Sequence, residues 1–96
     1  MNKIPKGKYV VIFTSTLNEE ATGYTQMAQT MEKLVKEQVG FLGMTSVRDK
    51  IGITISYWDS LESINLWRNN KHHRKAKTFG KKEWYADYDI TICQII

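Results

Sequence analysis

The chain has 96 residues, room for one domain and one modest core. Hydrophobic residues make up 42% and charged residues 25%, close to the average of soluble globular proteins. No stretch is long enough to cross a bilayer, and the basic leader before Tyr9 runs into no apolar segment with a cleavage site, so neither a membrane partner nor a secretory signal is expected.

Cys93 is the single cysteine and excludes an intramolecular disulfide framework; a reducing, cytoplasmic setting is the expectation. The net charge of +4 is concentrated in Lys71–Lys77 and Lys81–Lys82. Such a cluster attracts phosphate, carboxylates or nucleic acid. The reading preferred is a solvated helix face.

In chain order, Lys8–Thr16 reads as a strand rich in β-branched and aromatic residues, with Val11 and Phe13 on one side and Val10 and Ile12 on the other. Tyr24, Met27, Ala28, Met31, Leu34 and Val35 then fall at helical spacing, which predicts an amphipathic helix stopped by Gly40. Phe41–Asp49 and Ile51–Trp58 read as a hairpin. In its second strand Ile51, Ile53, Ile55 and Tyr57 share one face, expected under the helices; Gly52, Thr54, Ser56 and Trp58 share the other.

Asp59 is the expected N-cap of a helix carrying Leu61, Ile64 and Trp67, with a break near Asn69–Asn70. The helix resumes with His73, Ala76 and Phe79 and ends at Gly80. Lys82–Tyr85 is expected to form a short turn. Asp87–Ile96 is the last strand, with Tyr88, Ile90 and Ile92 on one face. The order is β-α-β-β-α-β, an α+β ferredoxin-like arrangement: one domain over residues 1–96, a four-stranded antiparallel sheet with its helices on one face.

A sheet covered on one side leaves the other bare. The expectation is a homodimer packed sheet to sheet, with the edge at Ile90–Ile96 covered as well. Val10 or Val11, part of Phe41–Val47 and Trp58 are expected on that bare face, and Thr54 and Ser56 beside aromatics suggest a cavity. An RNA-recognition sheet has the same element order, but Ile51–Trp58 lacks the aromatic-glycine run that such a sheet carries, so no nucleic-acid partner is expected.

Gln38-Val-Gly-Phe-Leu-Gly43, Ser56-Tyr-Trp-Asp-Ser-Leu-Glu62, then Trp67, His73 and Ala76, resemble the antibiotic biosynthesis monooxygenase family, and within it small bacterial members with a Trp84-Tyr85…Tyr88 signature. The resemblance runs from Tyr9 to Cys93. It implies a dimeric α+β barrel and one of two activities. One is cofactor-independent oxygenation of polycyclic phenols; the other is heme degradation. Trp67 and Trp58 match pocket tryptophans of the heme-degrading members. The iron-ligand position falls on Lys77, however, and the distal asparagine position on Phe13.

The resulting expectation is a monooxygenase acting on an aromatic small molecule with no dedicated cofactor. His73 and Trp67 are the catalytic candidates, and Trp58, Thr54, Ser56, Tyr88 and Phe13 the substrate-binding candidates. His73 suits general-base work. Trp67 is either a pocket wall or core, and Trp84 is expected at the dimer interface. Cys93 has no basic neighbour to activate it, and no metal cluster is visible. The alternatives are a heme-binding or heme-degrading protein, and a non-catalytic dimeric binding module.

Overall fold

The computed structural model describes residues 4–79 and 84–96, Phe79 by its backbone. Gly80 and the first half of the expected turn over Lys82–Tyr85 lie outside the described residues. The elements are β1 (Tyr9–Leu17), α1 (Tyr24–Val35), β2 (Phe41–Arg48), β3 (Gly52–Trp58), α2 (Leu61–Arg68), α3 (Lys71–Phe79) and β4 (Tyr85–Gln94). The four strands form one antiparallel sheet of order β2-β3-β1-β4, the ferredoxin-like α+β fold.

Residues directly opposite in antiparallel strands project to the same face. Tyr9, Val11, Phe13 and Ser15 of β1 stand opposite Trp58, Ser56, Thr54 and Gly52 of β3. Trp58 packs with Val35 of α1 and Ile64 of α2, and Tyr9, Val11, Phe41, Met44 and Trp67 close around them. This is the helix side of the sheet. Its centre is Trp58, 1% exposed.

The expected orientation of β3 is therefore reversed. Ile53, Ile55 and Tyr57 face away from the helices, opposite Thr14, Ile12 and Val10. Alternation along a strand says which residues share a face, not which face the helices cover. β1 is apolar on both sides and offered no tie-break. Trp58 goes inside because it is the largest side chain available to the one covered layer.

The turn into β2 explains a glycine. Gly40 has φ +81°, and a Cβ there would collide with the side chains of Asp59 and Ser63. That close approach lets the Asp59 N–H donate to the Gly40 carbonyl at 2.9 Å, tying the start of α2 to the end of the α1–β2 turn. The N-cap of α2 is Ser60 rather than Asp59: its hydroxyl accepts from the Ser63 N–H at 3.0 Å. Asp59 instead accepts from the Ser63 hydroxyl at 2.7 Å. Leu61, expected on the buried stripe, is 48% exposed.

Candidate functional site

Two groups of side chains occupy the helix side of the sheet. The first is built where α2 gives way to α3. Asn70 accepts from the backbone N–H groups of His72 and His73 at 3.0 and 3.3 Å and so starts the new helix. This break, expected from Asn69–Asn70, turns His73 back over the last turn of α2. Its ring stacks on Trp67, centroids 4.3 Å apart and planes within 11°.

His73 Nδ1 lies 3.0 Å from the Trp67 carbonyl oxygen. A carbonyl only accepts, so Nδ1 carries the proton, and in the neutral ring the lone pair is on Nε2. Burial pushes the His73 pKa below its ordinary value near 6.5; Lys77 and Arg68 push the same way, while the Trp67 carbonyl opposes them. The imidazole is thus held neutral, in one tautomer, in one plane. That is the preparation a general base requires. Trp67 is half-buried and rests against the Trp58 core, serving both packing and the stack.

The second group lies toward the other end of the strands. Phe13 and Tyr85 meet edge to face at 5.4 Å, and Phe13 and Tyr88 are 6.2 Å apart. Tyr24 of α1 meets Tyr85 and Trp84, each edge to face at 5.8 Å. Burial raises the Tyr85 phenol pKa, and the nearby Tyr24 hydroxyl adds to this, so the phenol stays protonated and able to donate. Arg48 extends into this cluster, its guanidinium 5.1 Å from the centre of the Tyr24 ring.

Among the expected site residues, the structure brings His73 and Trp67 together, and separately Phe13 and Tyr88. Thr54 stands opposite Phe13 and exchanges a 2.8 Å hydrogen bond with Ser46. Ser56 and Trp58 are different. The Trp58 indole N–H donates to the Ser56 hydroxyl at 3.0 Å; Trp58 is fully buried in the core, while Ser56 is half-buried. Trp84, expected at an interface, is 4% exposed and its indole N–H donates to the Thr22 carbonyl at 3.0 Å inside its own chain.

The helix side remains open toward β4. Tyr88, Ile90 and Ile92 stand opposite Ser15, Phe13 and Val11, yet they are 39, 48 and 39% exposed. An aromatic trough with an apolar floor results. The sequence reading missed Arg48, Ser15, Tyr24 and Gly52 as members. The available signal was an arginine on the same strand face as the aromatics, directly across the hairpin from a glycine.

Fold and trough together are those of a small ferredoxin-like α+β protein with an aromatic-lined site. The model of the family described as Monooxygenase af470-like matches residues 8–93, and the chain belongs to that family. It is 43% identical over 98 residues to the uncharacterized protein YqjZ of Bacillus subtilis (strain 168), covering 99% of this chain and 86% of that one. Among solved structures it is similar to SnoaB, a cofactor-independent oxygenase from Streptomyces nogalater, with a TM-score of 0.79, 10% identity and 94% of each chain covered. PA3566 from Pseudomonas aeruginosa has a TM-score of 0.81 at 12% identity, covering 95% of this chain and 96% of that one. A Nitrosomonas europaea protein, provisionally described as an antibiotic biosynthesis monooxygenase, has a TM-score of 0.81 at 8% identity, over 97% and 94%.

Proposed function

We propose that this protein is a homodimeric monooxygenase that oxidises a phenolic aromatic small molecule with O2 and no dedicated cofactor. The observation that carries the reading is the His73–Trp67 stack, with Nδ1 anchored on a carbonyl and the ring held neutral. Family membership and the likeness to a cofactor-independent oxygenase support it.

Nε2 of His73 takes the phenolic proton. The electron-rich phenolate then reduces O2 and combines with it at an unsubstituted ring carbon. Loss of water leaves a quinone: one oxygen atom becomes the new carbonyl, the other departs in water with two hydrogens of the substrate. The protein's part is to bind the ring and remove its proton.

Heme chemistry finds no support in the donor set. At the positions that the resemblance aligns with the iron ligand and distal asparagine stand Lys77 and Phe13, and the Phe13 ring is packed against Tyr85.

The dimer rests on the side of the sheet away from the helices, where Val10, Ile12, Val47, Ile53, Ile55 and Tyr57 share one face. Ile53 is 38% and Val47 61% exposed in the single chain. An apolar sheet face of this kind is what sheet-to-sheet pairing covers.

Naphthol supplied with isotopically labelled O2 tests the chemistry. Naphthoquinone carrying one labelled atom is the expected product, and a protein that binds naphthol without converting it would refute the oxygenase reading. Light scattering tests the dimer independently: the native chain should scatter as a pair and Ile55→Lys as a single chain. A native monomer would end that part of the reading.

A further inference from the structure

Arg48 is the last residue of β2 and stands opposite Gly52 on the helix side of the sheet. Gly52 determines where its side chain goes, because a Cβ at that position would collide with the guanidinium. Arg48 uses the gap to cross β3 and reach β1. There Nη1 donates to the Ser15 carbonyl at 3.3 Å and Nη2 donates to the Ser15 hydroxyl. Ser15 is itself buried, 3% exposed. An arginine at a strand end ordinarily extends into water, where its pairings contribute little. This one is drawn over the sheet into a cluster of aromatic rings.

The guanidinium is held, and no described carboxylate neutralises it. Among the described residues two of its five N–H donors are engaged, both on Ser15. Among the described residues no carboxylate lies within ion-pair distance of it, the one such pair being Lys36–Glu32. Arg48 keeps exposed surface, so a solute can reach it. Beside it the rings of Tyr24, Tyr85, Phe13 and Tyr88 follow one another at centroid spacings of 5.8, 5.4 and 6.2 Å. A fixed planar cation next to an aromatic wall matches a flat ligand with an ionised oxygen at one end.

We propose that Arg48 is an anion-binding residue and that the trough takes an aromatic acid, its carboxylate on the guanidinium and its ring against Phe13, Tyr85 and Tyr88. The inference rests on the oxygenase reading in taking the ligand to be a flat aromatic, and it adds the acidic group that reading leaves open. Ser15 and Gly52 are positioning residues: one anchors the guanidinium, the other leaves it room. Because the cation is already oriented, a ligand loses little freedom in meeting it.

Calorimetric titration with naphthoate and with its neutral isostere naphthamide tests the assignment without turnover. The native protein should bind naphthoate about tenfold tighter, the scale of one charge-assisted contact. Arg48→Gln should abolish that preference while still binding naphthamide, and Gly52→Ala should weaken it by displacing the guanidinium. Arg48→Lys should retain part of it. Equal affinity of the native protein for both probes, or binding of neither, overturns the proposal. So does a preference that survives in Arg48→Gln while only thermal stability falls, which would make Arg48 a latch between β2 and β1. Selective binding of naphthoate without oxidation of naphthol would leave this site standing and remove the oxygenase reading alone.

Discussion

The two ends of the helix side of the sheet are built from similar residues and put to opposite uses. At the Trp58 end the tryptophan, Val35 and Ile64 are 1, 6 and 2% exposed, and the polar groups present are spent on one another, indole to Ser56 and Ser63 to Asp59. At the Arg48 end Tyr88 and Ile90 are 39 and 48% exposed, and an arginine stands among the rings. Closure of the first supplies stability. The second is left open, which costs buried area and provides a surface to bind against. The His73–Trp67 stack joins these roles, since Trp67 both packs against the core and stacks on His73.

Truncating each end in turn should separate the two uses. Trp58→Ala, at the closed end, should cost about 3–5 kcal/mol, measured by urea unfolding. A loss below about 1 kcal/mol would show that this region is not the core the burial suggests. Arg48→Gln, at the open end, withdraws donors from the buried Ser15 and should cost less, about 1 kcal/mol.

His73→Gln should lower turnover of naphthol by about 100-fold, the scale of a general base, with little change in naphthol affinity. An equal loss in affinity would make His73 a wall of the trough instead. Ser60→Ala, which removes the α2 cap, should cost about 1 kcal/mol and leave ligand preference untouched.

The smallest effect is one of pH. The His73 pKa is lowered on folding, so below its ordinary value near 6.5 the unfolded chain binds a proton that the folded one resists. Stability from this group is complete above that value and falls as pH drops toward the lowered folded-state pKa. Stability should therefore decline on mild acidification in the native protein and decline less in His73→Gln, as read by denaturant midpoints across that window. Identical slopes would mean that His73 is not held neutral by its burial.

Much of the backbone plan was legible along the chain. The apolar spacing from Tyr24 to Val35 coincides with α1, which ends before the expected stop at Gly40; the strands begin and end within two residues of expectation, and Asn69–Asn70 marks the break that positions His73. These features are local. Apolar periodicity, capping side chains and glycines act over a few residues, and a short window contains them. His73 and Trp67 could be paired in advance for the same reason, being separated by one helical break. Arg48 with Ser15, or Tyr24 with Tyr85, could not, because their meeting depends on strand order and on the register between β1 and β3.

Which face of β3 goes inside belongs to the same class of question. Ile53, Ile55 and Tyr57 form the more evenly apolar row, and local preference selected it for the core. The structure buries Trp58 instead and leaves that row facing outward. Strand propensity and alternation divide a strand into two faces with equal authority over both. Only the packing of α1 and α2 through Val35 and Ile64 selects between them, because the energy of burying a large indole depends on what closes over it.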